Sequence, residues 1–392
     1  MFIFAIKSVS DDLRIMETVS GHPLSAEVRN LELEYARAVK KMLDGNYYND
    51  YNKYYNNMGE AIFMMDSAGV KRQNMDLIRR LLWQGKQLTK LEISKRTGLS
   101  VATCNTLLNE LEKNGEVLGE KSQIKDVGRA SVVYRYNEGF ESYICVSYQM
   151  IAGVKTVRVA VTSPLGNILG HYERDFRHLD YMAIEGMIEK ALKKHMNAAM
   201  ILVGTPSIAE NGIVRHCDIA EMEEVPLVQL LEQRFGLPVH MENDIHYKAY
   251  GYYKKEGRVD DIVTLCFFPA NVLPGTASVY HGTVLKGNNQ FAGMVGFLPY
   301  EFDRKEELRL LSPETALPII VKAVTSLIVA VNPSSILLAG DLLDEEKAEQ
   351  VYLGCLKWIP KEYMPDFCYT NDIDLYYQEG MYQKALDQKG VL

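Results

Sequence analysis

Residues 88–115 bind the chain to one local geometry more tightly than any other stretch. The run Leu88-Thr89-Lys90-Leu91-Glu92-Ile93-Ser94-Lys95-Arg96-Thr97-Gly98-Leu99-Ser100 gives a short helix, a glycine turn and a fresh N-cap at Ser100. Cys104, Leu107, Leu108 and Leu111 then recur at helical spacing, and Asn114-Gly115 stops the pattern. Upstream, Met75, Leu77, Ile78, Leu81 and Leu82 mark a first amphipathic helix. Downstream, Glu116-Val117-Leu118 opens a hairpin whose second arm is Ser131 to Tyr136, with Lys121, Lys125 and Gly128-Arg129 between the arms. Two short helices across a Gly turn, followed by a basic hairpin, predict a winged helix-turn-helix.

The charge supports a partner for that module. The whole chain carries −8, which by itself argues against nucleic acid. Residues 71–135 hold 13 Lys/Arg against 7 Asp/Glu, a net +6, which leaves −14 on the remainder. A compact basic module on an acidic body is a functional asymmetry. With Cys104, Leu107, Leu108 and Leu111 facing inward, the helix start from Ser100 presents Val101, Ala102, Asn105, Thr106 and Asn109. Small and amide side chains suit base edges in a major groove, Asn toward adenine and apolar groups toward the thymine methyl. Lys90, Lys95, Arg96, Lys121 and Lys125 are expected at phosphates, and Arg129 in a narrow minor groove. The competing reading is a winged helix that touches only protein, its charges a solvated face. The concentration of +6 on the module with the reading geometry favours a double-stranded DNA operator.

At 392 residues the chain exceeds one ordinary core. The apolar opening Met1–Ile6 is too short for a membrane span or a secretory core, so no membrane partner is expected. The six cysteines never come closer than thirteen positions, so no CxxC metal knuckle exists, no metal is expected, and a reducing cytoplasm is the expected compartment. Residues 1–70 read as a helical extension: Ser25 can cap a helix through Asp44, and Asn46 to Asn57, with five Tyr and five Asn, reads as a linker. Two readings of this segment stay open, an idiosyncratic extension or a docking or dimerisation element.

From Tyr143 the text alternates strands and helices. Tyr143–Ser147, Val157–Thr162 and Ile168–Tyr172 predict a meander, followed by a helix over Met182–Met196 and a strand at Ala199–Gly204 leading to Thr205-Pro206. A helix over Leu227–Phe235 precedes the strand Leu237–Asp244. The order then repeats, with strands at Ile262–Phe268 and Ala277–Val279, a helix over Thr315–Val331, a strand at Ile336–Ala339 and a last helix. Two α/β halves, each opened by a meander, predict an α/β chain: a winged helix-turn-helix followed by a two-lobed actin-like or ribonuclease-H-like ATPase fold. The expected domains are 1–70, 71–138, 139–255 for the first lobe and 256–392 for the second lobe with its C-terminal helix.

Several segments in this order carry a family resemblance. Gly98 through Thr103, Leu111 through Gly115 and Gly128-Arg129 look like the DNA-binding head of the ROK family (repressors, open reading frames, sugar kinases). Val239 through Asp244 resembles that family's sugar-site segment ending in Glu-Asn-Asp. His281 through Gly287, with Ala292-Gly293 and Gly296, resembles its second-lobe signature, and Ile336 through Gly340 the strand near the nucleotide's adenosine. The resemblance covers roughly 80% of the chain, from about Asn74 onward, and implies a transcriptional regulator acting as a homodimer or homotetramer. It implies an effector site at Thr205, Glu242, Asn243, Asp244, Met294 and Phe297, taking a sugar or sugar phosphate.

The departures from the family pattern bear on catalysis. Where family kinases have an Asp-Gly-Gly-Thr phosphate loop, this chain has Val146-Ser147-Tyr148-Gln149-Met150. The second phosphate loop reads Phe268 through Pro274, and Pro removes donor N–H groups. Met294-Val295-Gly296-Phe297 stands for Glu-x-Gly-His, and no Cys lies between Cys266 and Cys355 for the family's zinc loop. The expectation is a repressor with a degenerate kinase-like body and no cofactor. Asp244 would be the general base only if the alternative holds, an ATP-dependent sugar kinase with a DNA-binding head. Otherwise Asp244 either accepts a ligand hydrogen bond or caps a strand end. A third reading has the body only dimerising the heads, with no ligand.

Overall fold

A computed structural model describes residues 67–122, 131–151, 153–256, 261–270 and 272–389. The helix expected from Ser25 to Asp44, the Tyr/Asn stretch, and Lys125, Gly128 and Arg129 lie outside the described residues. By compactness the chain forms two units.

The first unit is built on α1 (Ser67–Trp83), α2 (Lys90–Thr97) and α3 (Val101–Lys113). The short strand β1 (Leu88–Thr89) and the hairpin arms β2 (Val117–Ser122) and β3 (Ser131–Tyr136) form a sheet in the order β1-β3-β2. Thr89 caps α2 by a reciprocal box, its hydroxyl accepting from the Glu92 N–H while the Glu92 carboxylate accepts from the Thr89 N–H. Those bonds hold the Glu92 carboxyl below its ordinary range. Gly98 ends α2 at φ 75°, a left-handed position that favours glycine, and Ser100 caps α3 by accepting from the Thr103 N–H at 3.0 Å. Met75, Ile78, Leu82, Ile93, Cys104, Leu107, Leu108 and Leu111 are buried, whereas Leu77, expected on the buried stripe of α1, is exposed.

The second unit holds two five-stranded sheets of the same design. In the first, β4 (Ser142–Ile151), β5 (Val154–Thr162) and β6 (Ile168–Phe176) form the meander. β7 (Ala198–Thr205) runs parallel to β4, and β10 (Val239–Asn243) parallel to β7, for an order β10-β7-β4-β5-β6. The small hairpin β8 (Ile208–Glu210) and β9 (Ile213–Arg215) forms a sheet of its own, with Val214 buried in the same core. α4 (Tyr181–Leu192) and α5 (Leu227–Phe235) cover one face through Ile184, Met187, Ile188, Leu227 and Leu231, packed on Ile144, Val146, Val159 and Ile201. α4 stops four residues before Met196, which is almost fully exposed and has nothing to bury against.

α6 (Asp244–Glu256) leads to the second sheet, β13-β12-β11-β14-β15, made of β11 (Val263–Phe267), β12 (Gly275–Tyr280), β13 (Thr283–Val284), β14 (Ser335–Ala339) and β15 (Asp366–Tyr369). Again a meander is extended by two parallel strands, the duplication expected from the order of elements. After α7 (Arg304–Leu310), helices α8 (Leu317–Val331) and α9 (Glu345–Cys355) cover one face.

The chain ends in α10 (Ile373–Gln388), which returns to the first sheet: Met381, Ala385 and Leu386 pack with Tyr143, Cys145, Met200 and Leu202. α10 crosses α6 at two glycines. A Cβ on Gly251 would lie 1.9 Å from the Tyr376 carbonyl oxygen, and one on Gly380 1.8 Å from that of Tyr247. Only glycine lets the backbones approach so closely.

Candidate functional site

In the first unit, α3 is sharply two-sided. Cys104, Leu108 and Leu111 are fully buried and Leu107 nearly so, while Val101, Ala102, Asn105, Thr106 and Asn109 are all exposed on the opposite face. Burying those four side chains stabilises the helix against the head at about 1.5–3 kcal/mol each, which fixes which face is left outward. Ser100 is exposed too, but its hydroxyl is spent on the helix cap and on Thr103 Oγ1 at 2.8 Å. Its contribution is the helix N-terminus, a favourable place for a phosphate. Lys95, Arg96 and Lys121 are exposed.

Lys90 does something the spacing does not reveal. Its Nζ donates to Asn105 Oδ1 at 2.5 Å and lies 5.5 Å from the centre of the Tyr134 ring. One lone pair of the Asn105 oxygen is therefore engaged. The Asn105 oxygen keeps a second lone pair, so both amide groups remain available to an outside partner.

In the second unit, parallel pairing lines up the carboxyl ends of β7 and β10 beside the middle of β4: Ser147 beside Gly204, Gly204 beside Glu242, Thr205 beside Asn243. Such strand ends are where α/β sheets place ligands. The structure brings Thr205, Glu242, Asn243 and Asp244 to this edge, each with an assigned task. Thr205 is fully buried and its hydroxyl meets Tyr148 Oη at 2.7 Å and Ser207 Oγ at 2.5 Å. Asn243 holds the turn into α6: Oδ1 accepts from the Ile245 N–H at 2.9 Å and Nδ2 donates to the Ser207 carbonyl at 3.0 Å. Asp244 is the first residue of α6, not the last of a strand, because that Asn243 bond turns the backbone into helix. Its Oδ2 accepts from Lys248 Nζ at 2.5 Å. Lys248 is itself buried, its ammonium 4.5 Å from the Phe267 ring centre and 5.1 Å from that of Tyr377.

Glu242 is buried and bridges the halves of the body. Its Oε1 meets His246 Nδ1 at 2.8 Å, and its Oε2 accepts from Lys286, which follows β13 in the second lobe. Burial pushes the carboxyl up, but the His246 hydrogen bond and the Lys286 ammonium outweigh it and hold it at about 2. A second tie joins the same segment to the first lobe, Gln290 Nε2 donating to the Ala209 carbonyl at 2.9 Å. Lys286, His246 and Lys248 were not among the residues expected here. His246 and Lys248 stand four residues after Glu242 and Asp244, a pairing readable once α6 is known to begin at Asp244.

Met294 is half-buried beside Gly293, whose carbonyl accepts from Thr276 Oγ1 at 2.6 Å. Phe297 is exposed and packs on Phe291, ring centres 4.9 Å apart, with the Arg304 guanidinium 4.1 Å above it. Its ring is thus occupied by partners on its own lobe. Among the described residues no group of three or more His, Cys, Asp and Glu is arranged to hold a metal, and no helix is long and apolar enough to cross a membrane.

Comparison with known proteins follows this division. The family model described as ROK family matches residues 151–308, and one described as winged helix-turn-helix DNA-binding matches residues 75–115. A protein of Caldicellulosiruptor sp. (strain Rt8B.4) provisionally named a xylose repressor is 27% identical over 251 residues, 61% of this chain and 62% of the relative. A xylose repressor of Caldicellulosiruptor bescii is 24% identical over 59% of this chain and 60% of its own. The chain thus spans about three fifths of the length of these curated relatives. Among solved structures, a ROK family transcriptional regulator described as a homologue of the E. coli MLC protein superposes with a TM-score of 0.60 at 16% identity, over 82% of this chain and 99% of that one. A ROK hexokinase from Thermus thermophilus gives 0.50 at 17% identity, over 63% and 99%. At such identities the superpositions speak to fold. Residues 75–115 thus match a winged helix-turn-helix DNA-binding model and residues 151–308 a ROK family model, and the superpositions agree with the fold of those ROK structures.

Proposed function

We propose that the protein is a transcriptional repressor of the ROK type: residues 71–138 read a DNA operator, and two lobes, 139–255 and 256–392, sense a sugar-like small molecule without turning over ATP. The observation that carries this reading is the outward face of α3, where Val101, Ala102, Asn105, Thr106 and Asn109 stand clear of a helix anchored by its opposite side. Lys90, Lys95, Arg96, Lys121 and Lys125 supply phosphate contacts, and Arg129 a contact in a narrow minor groove. The names of the relatives support both repression and a sugar effector. The active form is a homodimer or homotetramer in the cytoplasm, so that two heads meet a pseudo-palindromic site.

Three features support a body without kinase activity. Residues 146–150 lie inside β4, paired strand to strand with β5, where a phosphate loop would need open backbone donors. The Phe268 N–H donates to the Ala339 carbonyl, and the Phe268 carbonyl accepts from the Leu342 N–H. Asp244, the residue positioned for a general base, is occupied by Lys248. A ligand that enters among Glu242, Asp244 and Lys286 would compete with the Glu242–Lys286 tie and shift the lobes between two populations with different operator affinity.

The test is to map the genomic sites bound by the full chain and titrate the recovered operator with the sugars handled by the neighbouring genes. Release of the operator by one of them supports the reading. Asp244→Asn should change that response and leave operator binding intact. Phosphorylation of a hexose or pentose at the expense of ATP, lost in Asp244→Asn, would replace the sensor by a kinase.

A further inference from the structure

A cavity of about 200 Å³ opens between β4, β5 and β6 of the first sheet and α10, on the face opposite α4 and α5. The strand register builds one wall in two cross-strand rows. Ser147, Arg158 and Glu173 make one row across β4, β5 and β6, and Cys145, Ala160 and His171 the other. The second wall is a single helical stripe, Asp374, Tyr377, Gln378 and Met381, spaced i, i+3, i+4, i+7 on α10. Only Ser147, beside Gly204, and Tyr377, whose ring centre lies 5.1 Å from Lys248 Nζ, adjoin the group at the ends of β7 and β10.

The cavity is polar at its mouth and partly apolar inside. At the mouth, Arg158 Nε donates to Glu173 Oε2 at 2.8 Å, and its Nη1 lies 3.6 Å from Asp374 Oδ2. One guanidinium therefore faces two carboxylates, and the balance is negative. Inside are Ala160, the buried Met381 and Cys145, whose thiol burial pushes up to about 12, so it stays uncharged. Tyr377 adds an unmet demand: its hydroxyl is buried and has no hydrogen-bond partner among the described residues. It lies over Gly204, where a Cβ would come within 1.7 Å of the hydroxyl oxygen, so the missing side chain makes its room.

These walls fit one chemistry. Carboxylates accept, the guanidinium and the Gln378 amide donate, and Ser147 and Tyr377 can do either, an alternation that matches neighbouring hydroxyl groups. Ala160 and Met381 offer a surface for C–H groups. At about 30 Å³ per water, the volume equals about six or seven waters, the scale of one sugar ring. Excess negative charge opposes a phosphate or carboxylate. We propose that this cavity is a second small-molecule site, adjoining the Thr205–Asp244 group, which takes an uncharged, hydroxyl-rich molecule of monosaccharide size and excludes its phosphorylated form.

Met381 lines the cavity and Met294 lies in the other group, so methyl-labelled methionine NMR on the full chain reads the two sites separately. Titration with D-xylose or D-glucose should shift the Met381 methyl, and glucose 6-phosphate at equal concentration should not. Ala160→Leu, which fills the cavity, and Arg158→Met, a half-exposed change at its mouth, should each weaken the Met381 response tenfold or more. A Met381 methyl unmoved by both neutral sugars, moved equally by glucose 6-phosphate, or equally responsive in a folded Arg158→Met variant overturns the proposal. A sugar that shifts Met294 alone supports the effector reading and also overturns this one.

Discussion

Glu242 concentrates the electrostatics of the body in one side chain. It is nearly fully buried, yet held ionised at about 2 against an ordinary 4.5 by His246 and Lys286. A carboxyl whose folded value is depressed stabilises the fold above its unfolded value and loses that contribution as pH falls toward the folded one. The contribution is on the order of 2–3 kcal/mol, reduced by the part-exposed Lys286. Glu242→Gln should therefore lower the urea midpoint at pH 7, and the gap to the native chain should narrow as pH drops below about 4.5. A gap that stays constant from pH 7 to pH 3 would mean the carboxylate is not stabilised as described. Little of this was legible beforehand. Glu242 stood out as a strand-end acid, but Lys286 lies 44 positions away and only the folding of the second lobe brings it back. Lys248 is less legible still, because a lysine in a tyrosine-rich helix reads as solvent-facing until Phe267 and Tyr377 close over it.

Elements were read better than residues, for physical reasons that differ along the chain. α2, the Gly98 turn and α3 follow directly from local chemistry: a cap, a left-handed glycine and a 3.6-residue apolar repeat. Ser100→Ala should cost about 1 kcal/mol of head stability and weaken operator binding in parallel, as measured by thermal melting and by gel shift. β4 runs to Ile151, past the Ser147 expected from its apolar run, because its end is fixed by the β5 partner and not by its own residues. The α6–α10 crossing was invisible, since Gly251 and Gly380 are isolated glycines within helical text. Gly380→Ala must push two backbones apart and should destabilise the chain by about 3 kcal/mol or more. A melting temperature within a degree of the native one would contradict that packing.

At the scale of the molecule, the charge divides into +6 on residues 71–135 and −14 on the remainder. The basic segment carries the exposed face of α3, and the acidic remainder contains two sheets whose equivalent topology betrays a duplication. Both were legible, the first from charge by segment and the second from the repeated order of strands and helices. Under the proposed function, an acidic body would be repelled by the duplex, confining contact to the head. Operator affinity should then depend on salt through the head cations alone. The direct measurement is the slope of log K against log salt on the mapped operator, for the native chain and for Lys95→Ala with Arg96→Ala. Each lost phosphate contact should flatten the slope by about 0.9, so the double variant should lose between one and two units, while Asn109→Ala should lower the preference for operator over unrelated DNA and leave the slope alone. Identical slopes in native and double-variant proteins, with equal affinity for operator and unrelated DNA, would contradict a DNA-reading head.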